Sequence, residues 1–433
     1  MQSISRRKFI QTSLAGAAGL SLFPLAKSCK VPVNDVIRLG LIGLGRQTMY
    51  LMDGFRQIEG VHIVAGADVY GIKRQRFEKR MNDYYAETGL NINVDTYEHY
   101  HQILNRDDID GVVIVSPDHW HGIMGVESCR AGKDIYMEKP LTFTIKEGVA
   151  LVRAVRENDI VLATGSQQRS DKNFRHAVNL VKNGALGKIE KAHAHVGGPP
   201  VPYDLPEEPL PGDLNWDLWL GPNPYVHFNH ELNPPISLDP PQDETIWGAW
   251  RWYKEMGGGF TTDWGAHMFD IVQWAMGKDD SGPRRIIPAG YGDYQFLTYE
   301  YDGDWIMTEE PFNEAKTRGV KFIGTDGWIE VSRGHFLASD PELMPPPEAD
   351  RDDDVAYETG IPHLVNFIES MRTRKDPVAP VEAGHRTCTT CTLGNIAYEL
   401  MRPVEWDPAT ESFVDDPEAE KHYHRDYRPG YSL

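Results

Sequence analysis

The residues best placed to do chemistry stand in three groups along the chain. In Gly257-Gly258-Gly259-Phe260-Thr261-Thr262-Asp263-Trp264-Gly265-Ala266-His267-Met268-Phe269-Asp270, an acid, an imidazole and a second acid fall at i, i+4 and i+7. That spacing sets Asp263, His267 and Asp270 on one face of a helix expected over 262–276. Trp264, Met268, Phe269, Ile271 and Trp274 make the helix apolar nearly all round. Buried Asp and His need partners, and a substrate hydroxyl is a natural one. A second group lies in Val115-Ser116-Pro117-Asp118-His119-Trp120-His121 and Met137-Glu138-Lys139-Pro140. A lysine at a buried strand end is costly unless it is used or paired, so Lys139 is a functional candidate, with a structural pair to Glu138 as the competing reading. His119 and His121 serve equally as site residues or as helix caps.

The third group is Gly40-Leu41-Ile42-Gly43-Leu44-Gly45-Arg46-Gln47-Thr48. Gly43 permits a tight strand-to-helix turn, and Gly45 lets amides at the helix N-terminus approach a pyrophosphate. Thr48 stands where a third glycine is expected. Asp68 ends the next strand, where its carboxylate can accept both ribose hydroxyls of NAD and repel the 2′-phosphate of NADP. Lys73 and Arg74 offset that repulsion in part, so NAD is expected over NADP.

Elements at the right intervals must carry these groups. Short β-branched runs at 36–42, 61–67, 111–115 and 134–137 alternate with helical patterns at 49–57, 73–86 and 123–131, and a further helix at 145–158 and a strand at 161–163 lead out of this alternation. This is the pattern of a doubly wound parallel sheet, an α/β Rossmann unit expected over 35–160. The remainder, 161–433, reads as α+β. It has a helix near 174–182, a strand near 189–196, strands at 294–301, 305–308, 320–324 and 328–331, and closing helices near 362–371 and 383–401. An open, largely antiparallel sheet is expected. Residues 197–245 hold 12 prolines and are expected to lack regular structure, with Trp216, Trp219, Tyr225 and Phe228 packing the loop. Cys388-Thr389-Thr390-Cys391 has no second Cys/His pair at zinc spacing and reads as a pair of buried helix cysteines, so no metal is expected.

The first 28 residues read as an export signal: Arg6-Arg7-Lys8, then an apolar stretch from Ser13 to Ala26, too short to span a bilayer. Arg6-Arg7 resembles a twin-arginine signal. The exported protein is expected in the periplasm, and Cys29 is a candidate lipid anchor, although Lys27 argues against lipidation. Cleavage removes Arg6, Arg7, Lys8 and Lys27 and no acid, taking the net charge from −20 to −24. Such acidity disfavours nucleic acid and anionic lipid surfaces, and uncharged or weakly polar small molecules fit better.

The Gly-x-Gly turn, Asp68, Glu138-Lys139-Pro140, and Asp263 with His267 four residues on together resemble the Gfo/Idh/MocA family, which includes glucose-fructose oxidoreductase and inositol dehydrogenase. The likeness extends over the whole mature chain, including Trp216 to Pro222, Trp247 to Tyr253 and Trp406-Asp407-Pro408. It implies an N-terminal Rossmann fold and a C-terminal sheet that supports homo-oligomers. The activity it implies is hydride transfer between NAD(P) and a hydroxyl-bearing carbon of a sugar or polyol. By the resemblance Lys139 contacts nicotinamide ribose and the reacting hydroxyl, His267 is the general acid/base, and Asp263 orients sugar or histidine. Gly43, Gly45, Arg46, Gln47, Asp68, Ser116, Pro117, His121, Glu138, Lys139 and Gln168 are the expected cofactor contacts, with Gln167 beside them. Arg169, Tyr203, Trp250 and Trp252 are further candidates for the sugar. Export adds a constraint, because a freely diffusing NAD cycle stalls outside the cytoplasm. The leading expectation is a sugar or glycoside dehydrogenase with tightly held NAD. The alternatives are a redox-neutral glycosidase working by transient oxidation and elimination, and a non-catalytic sugar-binding module.

Overall fold

The structure, a computed structural model, describes residues 36–234, 236–238, 247–345 and 360–433. The export signal and Cys29 lie outside the described residues. Strands β1 (Ile37–Ile42), β2 (Val61–Ala67), β3 (Asp95–Tyr97), β4 (Gly111–Ile114), β5 (Asp134–Met137) and β6 (Leu162–Thr164) form a parallel sheet in the order β3-β2-β1-β4-β5-β6. The order reverses between β1 and β4, and the crevice at that switch point is where doubly wound sheets bind ligands. Strands β4 and β5 are buried at every position because helices cover both faces. On one face Phe55 of the Arg46–Phe55 helix meets Tyr136 edge-on at 5.8 Å and Phe367 of the Ile361–Thr373 helix at 6.4 Å. The other face carries the Asp118–Arg130 and Ile145–Glu157 helices and buries Val381 and Cys388 of the long Val381–Leu400 helix. The Ile145–Glu157 helix starts on a capping box: Thr144 accepts from Glu147 N, and Glu147 accepts from Thr144 N.

The expected division at residue 160 falls one strand short, since β6 pairs with β5. The chain also returns to the first sheet through the Ile361–Thr373 helix, and Ile37–Leu433 is one compact unit.

Strands β7 (Ile189–His195), β8 (Arg285–Ile287), β9 (Thr298–Tyr301), β10 (Trp305–Thr308), β11 (Gly319–Gly324), β12 (Trp328–Ser332), β13 (His335–Ala338), β14 (Val404–Asp407) and β15 (Ser412–Phe413) build the second sheet. Its order is β13-β12-β11-β7-β10-β9-β8-β14-β15, antiparallel throughout except for the parallel β7/β10 pair. Alternate residues such as Val320 and Phe322 point into a core shared with the Lys172–Lys182, Gly265–Ala275 and Val381–Leu400 helices.

The proline-rich segment differs from expectation in two ways. Its described residues include a helix, Trp216–Leu220, capped by Asn215, whose side chain accepts from Leu218 N. Trp216 and Trp219 stack at 4.5 Å and bury with Phe228 against Tyr70, but Tyr225 is 69% exposed and lies outside that buried cluster. The expected helix over 262–276 is also broken. A short turn of helix, Gly259–Asp263, ends at Trp264, and a second helix runs Gly265–Ala275. Among the described residues no helix is long and apolar enough to cross a membrane.

Candidate active site

A cavity of about 1030 Å³ opens at the carboxyl edge of the parallel sheet. One end is walled by the turn after β1. Gly43 sits at φ +83°, and a Cβ there would lie 2.7 Å from Val115 O, so only glycine fits the close approach of β1 to β4. At Gly45 an added Cβ would meet nothing within 4 Å, so this turn faces open space. Gly45 caps the Arg46–Phe55 helix without a side-chain acceptor, which leaves the first amides of the helix available to an anion. Thr48, in place of the third glycine, is fully buried and donates its hydroxyl to Gly43 O, closing the turn on itself. Asp68 accepts from Leu44 N at 2.7 Å and Tyr70 N at 2.9 Å. Each of its oxygens retains a lone pair, and the residue lines the cavity. Lys73 Nζ donates to Asn233 at 2.6 Å, and Arg74 donates to the Asp68 carbonyl at 2.6 Å. Arg46 Nε and Nη1 and Ser116 Oγ are buried without a partner among the described residues. The open turn, the uncapped amides and these orphaned donors fit a dinucleotide pyrophosphate.

At the other end Lys139 Nζ lies 2.8 Å from Asp263 Oδ1 and 3.0 Å from Asp263 O. Burial would raise the Asp263 carboxyl, yet Lys139 and Arg251, the latter 3.6 Å away, hold it below the usual carboxylate range. Glu138 Oε1 accepts from Gln47 at 3.0 Å and Oε2 from Lys139 N at 3.2 Å, so Glu138 braces the cofactor turn instead of pairing with the lysine ammonium. His267 is 5% exposed. Burial, reinforced by Lys139 and Arg333, keeps its imidazole well below the ordinary range and therefore neutral. Its Nε2 lies 3.4 Å from Arg333 Nη2, and its Nδ1 has no partner among the described residues. A neutral imidazole beside an ammonium can take a hydroxyl proton while the ammonium stabilises the developing alkoxide.

The cavity wall therefore gathers Gly43, Gly45, Arg46, Gln47, Asp68, Ser116, Pro117, Glu138, Lys139, Trp250, Trp252, Asp263 and His267. It omits six residues that the sequence had suggested. Asp270 turns to the core on the far side of the helix break and pairs with Arg169; both side chains are 1% exposed. Arg169 also binds Asp279 at 2.7 Å, so its guanidinium is consumed away from the substrate. His121 faces Pro140 O at 2.8 Å and Ser116 O at 2.9 Å, and His119 lies against Trp219 O at 3.0 Å; both are buried braces, pushed down by burial to about 4 and about 3. Tyr203 donates to His227 O and packs on Tyr253 behind the wall. Gln168 is buried, and Gln167 lines the cavity in its place.

Sequence reasoning missed Asp118, Arg251, Arg318 and Arg333 on the wall. Asp118 had a readable signal, as the acid that opens a helix directly after a strand of the switch point. Burial pushes its carboxyl up to about 8, with Arg251 opposing, so it is protonated at neutral pH. Arg251 comes from the 3-10 turn Ala249–Trp252, and Arg318 and Arg333 come from the loops just before β11 and just after β12. Cys388 and Cys391 are free and buried, and no group of metal-binding side chains occurs among the described residues.

Residues 37–166 match the family model described as "Oxidoreductase family, NAD-binding Rossmann fold", and residues 202–433 match "Oxidoreductase family, C-terminal alpha/beta domain", both of the Gfo/Idh/MocA group. A curated relative, glycosyl hydrolase family 109 protein 2 of Shewanella sp. (strain ANA-3), is 30% identical over 218 residues, 45% of this chain and 47% of the relative. The alpha-N-acetylgalactosaminidase of Shewanella oneidensis is 26% identical over 224 residues, with the same shares covered. The chain thus spans about half the length of these relatives. Among solved structures, the WlbA dehydrogenase from Bordetella pertussis, in complex with NADH and UDP-GlcNAcA, superposes with TM-score 0.62 at 16% identity, covering 86% of this chain and 97% of that one. The aldose-aldose oxidoreductase from Caulobacter crescentus, complexed with glycerol, gives 0.54 at 16% identity over 86% and 99%. At that identity the likeness is one of fold.

Proposed function

The chain belongs to the Gfo/Idh/MocA oxidoreductase family and carries its NAD-binding Rossmann fold, and from that premise we propose that it oxidises a hydroxyl-bearing carbon of a sugar, polyol or glycoside. The observation that carries this reading is the Lys139–Asp263 pair at 2.8 Å beside the neutral His267, in the same cavity as the Gly43–Gly45 turn. NAD, when bound, supplies the hydride acceptor. Gly43, Gly45, Arg46 and Ser116 would hold its pyrophosphate, and Asp68 its ribose. Lys139 would steady the reacting oxygen, His267 would take its proton, and Asp263 would fix the ammonium. Trp250 and Trp252 offer flat faces for a C–H-rich ring. The test is a panel of sugars and methyl glycosides incubated with protein and NAD while NADH absorbance is followed. NADH with at least one of them, abolished by Lys139→Ala, is expected; no NADH and no change in bound cofactor would remove the proposal.

A second reading, a redox-neutral glycosidase, draws on the names of the curated relatives and on Asp118. A carboxylic acid that stays protonated near neutral pH is suited to protonating a leaving aglycone. Release of phenol from an aryl glycoside without net NADH would favour it.

We further propose export on the Arg6-Arg7 signal, with Cys29 as a possible acceptor of lipid, and self-association through the second sheet. Fractionation of cells expressing wild type and the Arg6→Lys/Arg7→Lys variant tests the first, and sedimentation of the purified protein tests the second.

A further inference from the structure

Around His267 the cavity wall is richer in cations than in acids, unlike the chain as a whole. The molecule is at −20, yet around His267 the wall presents Lys139, Arg251, Arg318 and Arg333. Facing them, Asp263 is bound to Lys139, both oxygens of Glu138 are occupied by Gln47 and Lys139 N, and burial keeps Asp118 protonated at neutral pH. Among the described residues, cations outnumber ionised carboxylates around His267.

Arg318 is the most informative of these cations. Its Nε donates to Val196 O at 3.3 Å, and its guanidinium lies 4.7 Å from the Phe260 ring and 4.7 Å from the Trp264 ring. Among the described residues no carboxylate stands within ion-pair distance of it, and burial pulls its pKa down. A guanidinium held on aromatic faces in a partly dry wall, with its fork unmatched by an acid, is costly unless an anion arrives. Arg333 lies over the same Trp264 ring at 4.8 Å. Trp264, Arg318 and Arg333 also line an adjoining pocket of about 360 Å³, to which Lys316 adds another cation and which no carboxylate lines among the described residues. The nearby Glu309 is taken up by Val196 N, Gly197 N and His195. The basic surface therefore continues outward from His267 past Trp264.

We propose that the substrate is an anionic saccharide, whose carboxylate or sulfate group is received by Arg318 and Arg333 across Trp264 while its reacting hydroxyl lies at Lys139 and His267. This rests on the sugar-oxidoreductase reading above and narrows its substrate class. It also revises the expectation of a neutral ligand drawn from the overall acidity, since a net charge averages over a surface that the substrate never meets.

The test titrates the NAD-loaded protein calorimetrically with matched probes: glucose against glucuronate, mannose against mannuronate, and galactose against galacturonate and galactose 6-sulfate. NADH is followed in parallel. At least one anionic probe is expected to bind tenfold or more tightly than its neutral partner, with a ratio that shrinks as sodium chloride is raised. A tighter uronate assigns the group as carboxylate, and a tighter 6-sulfate as sulfate. In Arg318→Gln the ratio should fall toward one, and in Arg318→Lys it should be partly kept. Should Arg318→Gln fold poorly, Lys316→Gln should lower the ratio by a smaller factor. Equal or tighter binding of the neutral member in every pair overturns the inference, and NADH from those neutral sugars would leave the oxidoreductase reading standing. Anion-selective binding with no NADH from any probe overturns the oxidoreductase reading alone. No binding by any probe overturns both.

Discussion

Lys139 and Asp263 pair at 2.8 Å, and His267 stays uncharged because burial, reinforced by Lys139 and Arg333, suppresses its protonation. Lys139→Ala and His267→Ala are therefore each expected to lower kcat/KM by about 10²–10⁴-fold, read from NADH formation with the best sugar of the panel. The pH profile separates the two residues that can exchange protons. His267, depressed from 6.5, remains a competent base through neutrality, so the acid limb of kcat/KM should lie below pH 6.5. Asp118 ionises near 8, and that step places a second carboxylate beside Asp263. Activity should decline above about pH 8 in the wild type, and the decline should flatten in Asp118→Asn. The stability sign follows from the same shift. The unfolded carboxyl loses its proton near 3.8 and the folded one near 8, so the native state holds the extra proton between those values and stability drains as pH rises through that window. The urea midpoint should consequently drop between about pH 4 and pH 8 and level off above that, and Asp118→Asn should remove most of that drop. Neither Asp118 behaviour could be read from its neighbours in sequence, because it arises from burial and from Arg251 and Asp263, which are remote along the chain.

Between elements, the break at Trp264 decides what the stripe Asp263, His267, Asp270 can do. One continuous helix would have pointed all three at a substrate. Two helices let Asp263 and His267 line the cavity while Asp270 turns to Arg169 of the 3-10 turn Gln167–Ser170 and accepts from Thr387 of the Val381–Leu400 helix at 3.1 Å. Asp270 thus pins three elements together from a site with 1% exposure. Its loss leaves a buried arginine with only Asp279, so Asp270→Ala should cost about 3–5 kcal/mol of stability by chemical denaturation. Folded Asp270→Ala protein should keep its NADH formation, whereas Lys139→Ala should show the reverse pattern. Strands such as β2 and β5 were legible because they are largely buried and mostly apolar, and they lie where they were expected, whereas the short, part-exposed β3 carried no such signal and was not anticipated. The glycine turn and Asp68 were legible for a related reason, being tied to the end of a strand. The helix break was not, since Trp264 and Gly265 carry no proline or cap, and β6 was assigned across the wrong boundary because its partner is set by pairing with β5. Arg169 looked like a sugar contact only because the acids that consume it are about a hundred residues away.

Over the whole molecule, the cavity draws its walls from both sheets' connections. The turn after β1 and the strand ends of β4 and β5 supply the Gly43, Ser116 and Lys139 side, while Trp252, Asp263, His267 and Arg318 come from the later half of the chain. Ile37–Leu433 is one compact unit, and Leu364 and Phe367 return late sequence to the core of the first sheet. A ligand bound in such a cavity stabilises everything that must open to release it. NAD at about 100 times its Kd is accordingly expected to raise the unfolding free energy by about 2.7 kcal/mol. The rise should appear as a shift of one transition, registered alike by tryptophan fluorescence and far-ultraviolet circular dichroism. Gly43→Ala provides the control. Its φ of +83° and a Cβ 2.7 Å from Val115 O strain the turn by about 1–2 kcal/mol and spoil the approach of the helix amides to the pyrophosphate. The variant should melt earlier without NAD and gain little from it. A transition that splits in two, with NAD moving only one part, would show that the returning helix does not couple the two sheets, and the cavity would then open without unfolding the rest.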